Sequence, residues 1–183
     1  MCLIGLWSVA NFNYYLIYFQ IKYMSGDFFI NTIITACSDM AAFGVSGLIM
    51  SRLGMRPSYL AAFTVCLIGG ALFLFLRDGN PNLIPLFLLA ANYGNSWCLN
   101  INWNSNAMVF PVIYAASTNG LCILFARLFT ILAPQFAEME HPTPNLIYLG
   151  TCVFGATISL FLQPVKAKEP IRNEKLNHSD SHQ

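Results

Sequence analysis

The sequence predicts an all-α integral membrane protein whose six transmembrane helices form one bundle. Three observations carry this. Only 9% of the 183 residues are charged, where a soluble domain carries about 25%. The apolar residues make up 56% of the chain, and the mean hydropathy is +0.57. They are gathered into six long stretches, and a hydrocarbon core of about 30 Å takes about 20 residues of helix to cross. The stretches are continuous, without the period-2 alternation of barrel strands, so each reads as a helix. The same composition argues against a soluble enzyme, and a net charge of +1 leaves no electrostatic footprint for nucleic acid.

Taken in order, the spans are expected at about 2–21, 28–50, 58–76, 83–104, 112–136 and 145–163. In the first, Trp7, Asn11, Tyr14 and Tyr18 are spaced by 4, 3 and 4 residues, so they share one helix face. Phe12, Tyr15 and Phe19 form an adjacent stripe. Such aromatics suit a cavity for an amphipathic organic molecule, and equally suit ordinary helix packing. This stretch has no basic leader and no small-residue cleavage site, so it is expected to belong to the mature fold. The second span carries Asp39 near its middle, and the fifth carries Arg127. Each costs at least about 2.5–3.5 kcal/mol at the centre of a bilayer. Two readings stay open: both face a substrate site, or they pair and lock two helices, and a substrate can compete for that pair. In the third span, Gly69-Gly70 permits close helix packing. The fourth is rich in amides, with Asn92, Asn95, Asn100 and Asn102, then Asn104 and Asn106 at its end. Lipid penalises bare amides, so these should face inward, more often to bond neighbouring helices than to line a path.

The breaks between spans carry turn chemistry: Ser25-Gly26-Asp27, Arg52 to Pro57, Arg77 to Pro81, and His141 to Pro144. Residues 165–183 change character and read as a polar, disordered cytoplasmic tail. Six basic residues flank the spans on one side (Arg52, Arg56, Lys166, Lys168, Arg172 and Lys175) and two on the other (Lys22 and Arg77). The basic-side rule therefore puts both termini in the cytoplasm, with the plasma membrane favoured. Cys2, Cys37, Cys66, Cys98, Cys122 and Cys152 are spread one per stretch, which suits small apolar fillers better than a disulfide framework or a zinc site. The histidines His141, His178 and His182 lie outside the spans. No nucleophile–base pair, nucleotide loop or metal spacing stands out, so neither enzyme activity nor a cofactor or metal is expected.

The break after the second span reads Gly47, Ser51, Arg52, Gly54, Arg56, Pro57. It resembles the cytoplasmic loop signature of the major facilitator superfamily. Gly47 would allow close helix contact, Arg52 complements the negative end of its helix, and Gly54 supplies a tight turn. Ser51 stands where the signature has an acid.

Finer features are similar to the branch of organic cation, anion and carnitine transporters. Asn11-Phe12-Asn13-Tyr14-Tyr15 looks like its seventh helix, and Cys37-Ser38-Asp39-Met40-Ala41 sits where its eighth carries an acid. Asn106 to Pro111, Gly120, and Ala126-Arg127 to Pro134 look like its tenth-to-eleventh helix region. The resemblance implies the C-terminal six-helix half of a twelve-helix carrier that moves small organic ions by alternating access.

In that branch an arginine at the position of Arg127 marks anion and carnitine members, which favours an anionic or zwitterionic substrate. The substrate-binding set implied is Arg127, Asp39, Tyr14, Tyr15, Asn100 and Trp103, with Gly47, Arg52, Gly54 and Arg56 as the loop motif. A carrier rocks two bundles about a midplane site, so the partners expected are the lipid bilayer, the organic ion, and an N-terminal six-helix half or a second copy. Met108, Ala115 and Phe43 depart from the family's charged positions. Ser51, Met108 and Ala115, which remove gate charges, motivate the alternative of a non-transporting membrane subunit, or a degenerate or truncated carrier, with a scaffold role.

Overall fold

Proline and glycine punctuate described residues that are otherwise almost wholly helical. A computed structural model describes residues 2–21, 28–76, 84–140 and 142–162. Lys22, the turn at 25–27, the Arg77–Pro81 break, His141 and the tail with its basic residues and histidines lie outside the described residues. So, therefore, does much of the charge asymmetry on which the expected orientation rests.

Among the described residues the helices are α1 (Cys2–Ile21), α2 (Phe28–Leu53), α3 (Met55–Leu76), α4 (Ile84–Val109), α5 (Val112–Thr130), α6 (Ala133–Ala137) and α7 (Thr143–Leu160). There is no strand among them. α2 stops at Gly54, whose φ of 87° is a left-handed conformation and whose N–H returns to the Met50 carbonyl at 3.1 Å. This is the tight turn expected of that residue. Pro111 opens α5, where a missing N–H costs nothing.

The stretch expected as one span at 112–136 is divided into α5 and α6, because Pro134 has no N–H to offer the Thr130 carbonyl one turn back. The chain turns at Ile131-Leu132 and resumes. Hydropathy treats Ile113–Ala137 as one crossing segment despite the break, beside Asn31–Leu53, Met55–Phe75 and Thr143–Leu160. These four are long and apolar enough to cross a membrane, which makes this an all-α membrane protein. α1 and α4 also have the length, at 20 and 26 residues, but they carry most of the buried polar side chains, among them Asn13, Asn92, Asn95 and Asn102.

Those two helices form the centre. α1 touches α4, α5, α6 and α7, and α4 touches α1, α2, α3 and α5. α2 flanks α4, α5 flanks α1, and α3 packs with α7 behind them. α1 and α4 run antiparallel: Leu6 and Trp7 meet Asn102 and Trp103, while Tyr14 reaches the Asp39 carboxylate that Asn92 and Ser96 also hold. The core between the layers contains Leu6, Leu16, Tyr59, Phe63 and Ile101, all buried.

Close approach at the back is made by glycines. A Cβ on Gly69 would fall 2.5 Å from the Ala91 backbone nitrogen, and one on Gly70 2.8 Å from the Tyr148 ring. Gly47 differs from its expectation: a Cβ there would meet nothing within 4 Å, so no close helix contact is made at that position. The thiols of Cys66, Cys98, Cys122 and Cys152 are buried fillers, but Cys37 is exposed on α2.

α4 shows where the amides go. Asn102 accepts from the Tyr59 hydroxyl on α3 at 2.6 Å and donates to the Leu6 carbonyl on α1 at 3.5 Å. Asn106 donates to the Ala115 carbonyl on α5 at 3.1 Å. Asn104 turns back to Asn100 at 3.4 Å. Most of these amides stitch helices together, as polar groups in hydrocarbon are driven to do.

Candidate functional site

A hollow of about 380 Å³ opens where α1, α2, α4 and α5 meet. α1 contributes Trp7, Asn11, Tyr14 and Tyr15. The helical spacing of Trp7, Asn11 and Tyr14 aims them into one wall, and Tyr15 joins from the adjacent stripe. Phe12 of that stripe turns the other way, into the core against the Phe136 ring at 6.0 Å. α4 adds Leu99, Asn100 and Trp103, α2 adds Phe43, and α5 adds Ile123 and Arg127.

The aromatic wall is held in place by ring contacts. Trp7 and Trp103 meet edge to face with centroids 5.0 Å apart. Tyr14 stacks on Tyr18 at 5.5 Å and meets Tyr15 edge to face at 5.6 Å.

Arg127 is the charge of the hollow. Its Nη1 donates to the Tyr15 hydroxyl at 2.5 Å, and its guanidinium carbon lies 5.4 Å from the Tyr15 ring centroid. A phenol oxygen and a π face stabilise a cation without neutralising it. The residue is exposed, so the remaining donors of its planar fork are accessible. That geometry suits a carboxylate or another oxyanion.

Asp39 sits differently from the expectation. It does not line the hollow, and Arg127 is not its partner. Its Oδ1 accepts from Asn92 Nδ2 at 2.7 Å and Ser96 Oγ at 2.6 Å, and its Oδ2 accepts from the Tyr14 hydroxyl at 3.4 Å. The structural Asp39–Arg127 pair is therefore not made. The reason is placement: α4 lies against α2 and supplies neutral donors one turn apart, while Arg127 is turned to α1.

The structure thus brings Tyr14, Tyr15, Asn100, Trp103 and Arg127 around one hollow and leaves Asp39 behind the Tyr14 ring. Asn100 is partly committed, donating to the Phe43 carbonyl at 3.0 Å and to the Ser46 hydroxyl. Arg52 and Arg56 flank Gly54 at the α2–α3 junction, apart from the hollow. Sequence reasoning missed Asn92 and Ser96 as the donors to Asp39. Their i, i+4 spacing on one helix face was the available signal.

A second hollow of about 350 Å³, between α1, α5–α6 and α7, presents Phe12, Phe129, Phe136 and Phe154. Its two hydroxyls, on Ser8 and Thr151, are bonded to Ile4 and to Asn13, Ile147 and Tyr148. It offers a polar solute no grip. Among the described residues, no group of three or more His, Cys, Asp or Glu side chains is placed to hold a metal ion.

No protein-family profile matches the chain. Over 165 residues it is 22% identical to a human protein, the organic cation/carnitine transporter 2, in a match that covers 87% of this chain and 29% of that protein. The chain spans less than a third of the length of this relative. With the apolar helices described above, the match makes this chain a membrane protein distantly related to a transporter.

Proposed function

We propose that the chain is the C-terminal six-helix half of a major-facilitator-type carrier, moving small organic anions or zwitterions by alternating access. In this reading α1, α2, α3, α4, α5–α6 and α7 are the six spans, and residues 165–183 are a cytoplasmic tail. Both termini then lie in the cytoplasm, at the plasma membrane. The observation that carries it is Arg127: an exposed guanidinium on a membrane-crossing helix, at an aromatic hollow, bonded to a phenol rather than to a carboxylate. A carboxylate entering the hollow would find that fork and the Tyr15 hydroxyl together, with Tyr14, Trp7 and Trp103 against its organic body. The hollow is walled by four helices and open on one side. The faces of α2 and α5 carry exposed apolar side chains such as Met40, Leu48, Ile113 and Leu124. A facing bundle, either an N-terminal six-helix half or a second copy, would close it.

The test is uptake of labelled organic anions into vesicles holding the chain completed by an N-terminal half. Arg127→Ala should abolish uptake while membrane insertion stays normal. Unchanged uptake would refute the assignment of Arg127.

A non-transporting subunit is the second reading, favoured by the gate positions. Met108 is exposed and uncharged, and among the described residues the Ser51 hydroxyl donates to the Leu48 carbonyl of its own helix. Absence of uptake before any substitution would favour it.

A further inference from the structure

We infer that Asp39 is a positioning residue that acts through Tyr14, by accepting hydrogen bonds and not by presenting charge to a solute. The inference rests on the reading of the hollow as a solute site. The carboxylate lies behind the wall and is spoken for on both oxygens. Asn92 and Ser96, each fully enclosed or nearly so, hold Oδ1 from α4, and Tyr14 approaches Oδ2 from α1. Asp39 on α2 therefore ties three helices at one level. Tyr14 is the one of these three partners that also lines the hollow. Its ring is fixed on one side by Tyr18 and on the other by Tyr15, and its hydroxyl end by Asp39. Tyr15 in turn accepts from Arg127. A contiguous path runs Asp39, Tyr14, Tyr15, Arg127, so releasing the first link frees the Tyr14 ring and loosens the seat of the guanidinium.

The chemistry separates acceptance from charge. An asparagine at this position has the shape of aspartate, and its Oδ1 accepts from Asn92 and Ser96 as before. Its Nδ2 donates to the Tyr14 hydroxyl, which can accept as well as donate. All three links survive without the charge. A leucine of similar size keeps none of them and strands the Asn92 and Ser96 donors. Removing a negative charge from the neighbourhood of Arg127 does not weaken the attraction of an anion.

The experiment uses the intact chain in detergent micelles with sodium benzoate as the probe. Trp7 and Trp103 line the hollow and report binding by fluorescence quenching, while Trp97 is buried elsewhere. Tyr14 is separately replaced by 3-fluorotyrosine and followed by fluorine NMR. Asp39→Asn should bind benzoate at least as tightly as the parent and keep its fluorotyrosine resonance. Asp39→Leu should bind about ten-fold more weakly, the worth of one or two lost hydrogen bonds, with that resonance shifted or broadened. Tyr14→Phe, which leaves all of Asp39's partners on α4 in place, should weaken binding by a smaller factor of about three. Loss of binding in Asp39→Asn would overturn the inference, because charge would then be the requirement. An unmoved fluorotyrosine signal in Asp39→Leu would overturn it as well. Failure of the hollow itself reads differently: the parent would show no more quenching than free tryptophan and Arg127→Ala would not change it, while the fluorine signal still reports whether Asp39 holds Tyr14.

Discussion

Removing the Tyr59 hydroxyl and the Asn102 amide, singly and together, tests how α3 and α4 are joined. Both side chains are fully buried, and the hydroxyl donates to Asn102 Oδ1 at 2.6 Å. Tyr59→Phe leaves that amide oxygen without its donor. Asn102→Leu strands the phenol and also drops the longer bond to the Leu6 carbonyl at 3.5 Å. A buried polar group deprived of its partner costs about 1–3 kcal/mol. Within a bilayer the measured worth of such bonds is smaller, about 0.6 kcal/mol on average and about 1.7 at most. Each single change should therefore destabilise by about 1–2 kcal/mol, with Asn102→Leu the larger. The double variant leaves neither a stranded donor nor a stranded acceptor, so it should fall short of the sum by about 1 kcal/mol. Reversible unfolding by graded dodecyl sulfate in mixed micelles, followed by circular dichroism, measures all four proteins. Additivity to within about 0.3–0.5 kcal/mol would refute the shared bond, since that is the behaviour of independent sites.

Two further predictions concern glycines. Gly69→Val should destabilise by about 1–3 kcal/mol in the same unfolding assay, because its Cβ would meet backbone atoms of Ala91 that cannot yield; Gly44→Ala, with nothing within 4 Å, should stay within about 0.5 kcal/mol of the parent. In the loop motif, Gly54→Ala should cost about 1 kcal/mol or more because φ is 87° there. Gly47→Ala should be near neutral, and equal losses at both positions would contradict the distinction drawn between them.

The sequence revealed some of this directly and concealed the rest for physical reasons. Composition and continuous apolar runs sufficed for an all-helical membrane protein, since nothing else buries that much apolar surface in a chain this short of charge. Gly54 was legible because a glycine between two helices has one common use. Gly47 was not, because whether a glycine face is covered depends on which helix lies opposite. The same limit governed Asp39 and Arg127. Two opposite charges in hydrocarbon invite pairing on energetic grounds, yet adjacency decides the outcome, and α2 lies against α4 while α5 lies against α1. The division of 112–136 follows from Pro134, which hydropathy averaging passes over.

The allocation of polar groups bears on what holds Arg127 in place. α4 spends Asn92 and Asn100 on α2, Asn102 on α1 and α3, and Asn106 on α5, so its polarity is largely consumed in joining helices. Asp39 is likewise absorbed by neutral donors. Arg127 differs: it has a phenol and a ring face for company, on an exposed position of a helix apolar enough to cross a membrane. A cation so placed costs at least about 2.5–3.5 kcal/mol, and one neutral hydrogen-bond partner returns about 1.5–3. Stability of the bundle alone gives no surplus for keeping it, and a leucine there would insert more favourably. In the proposed reading an anion bound in the hollow would offset the difference, and that is the physical ground on which a solute site is proposed ahead of a structural role.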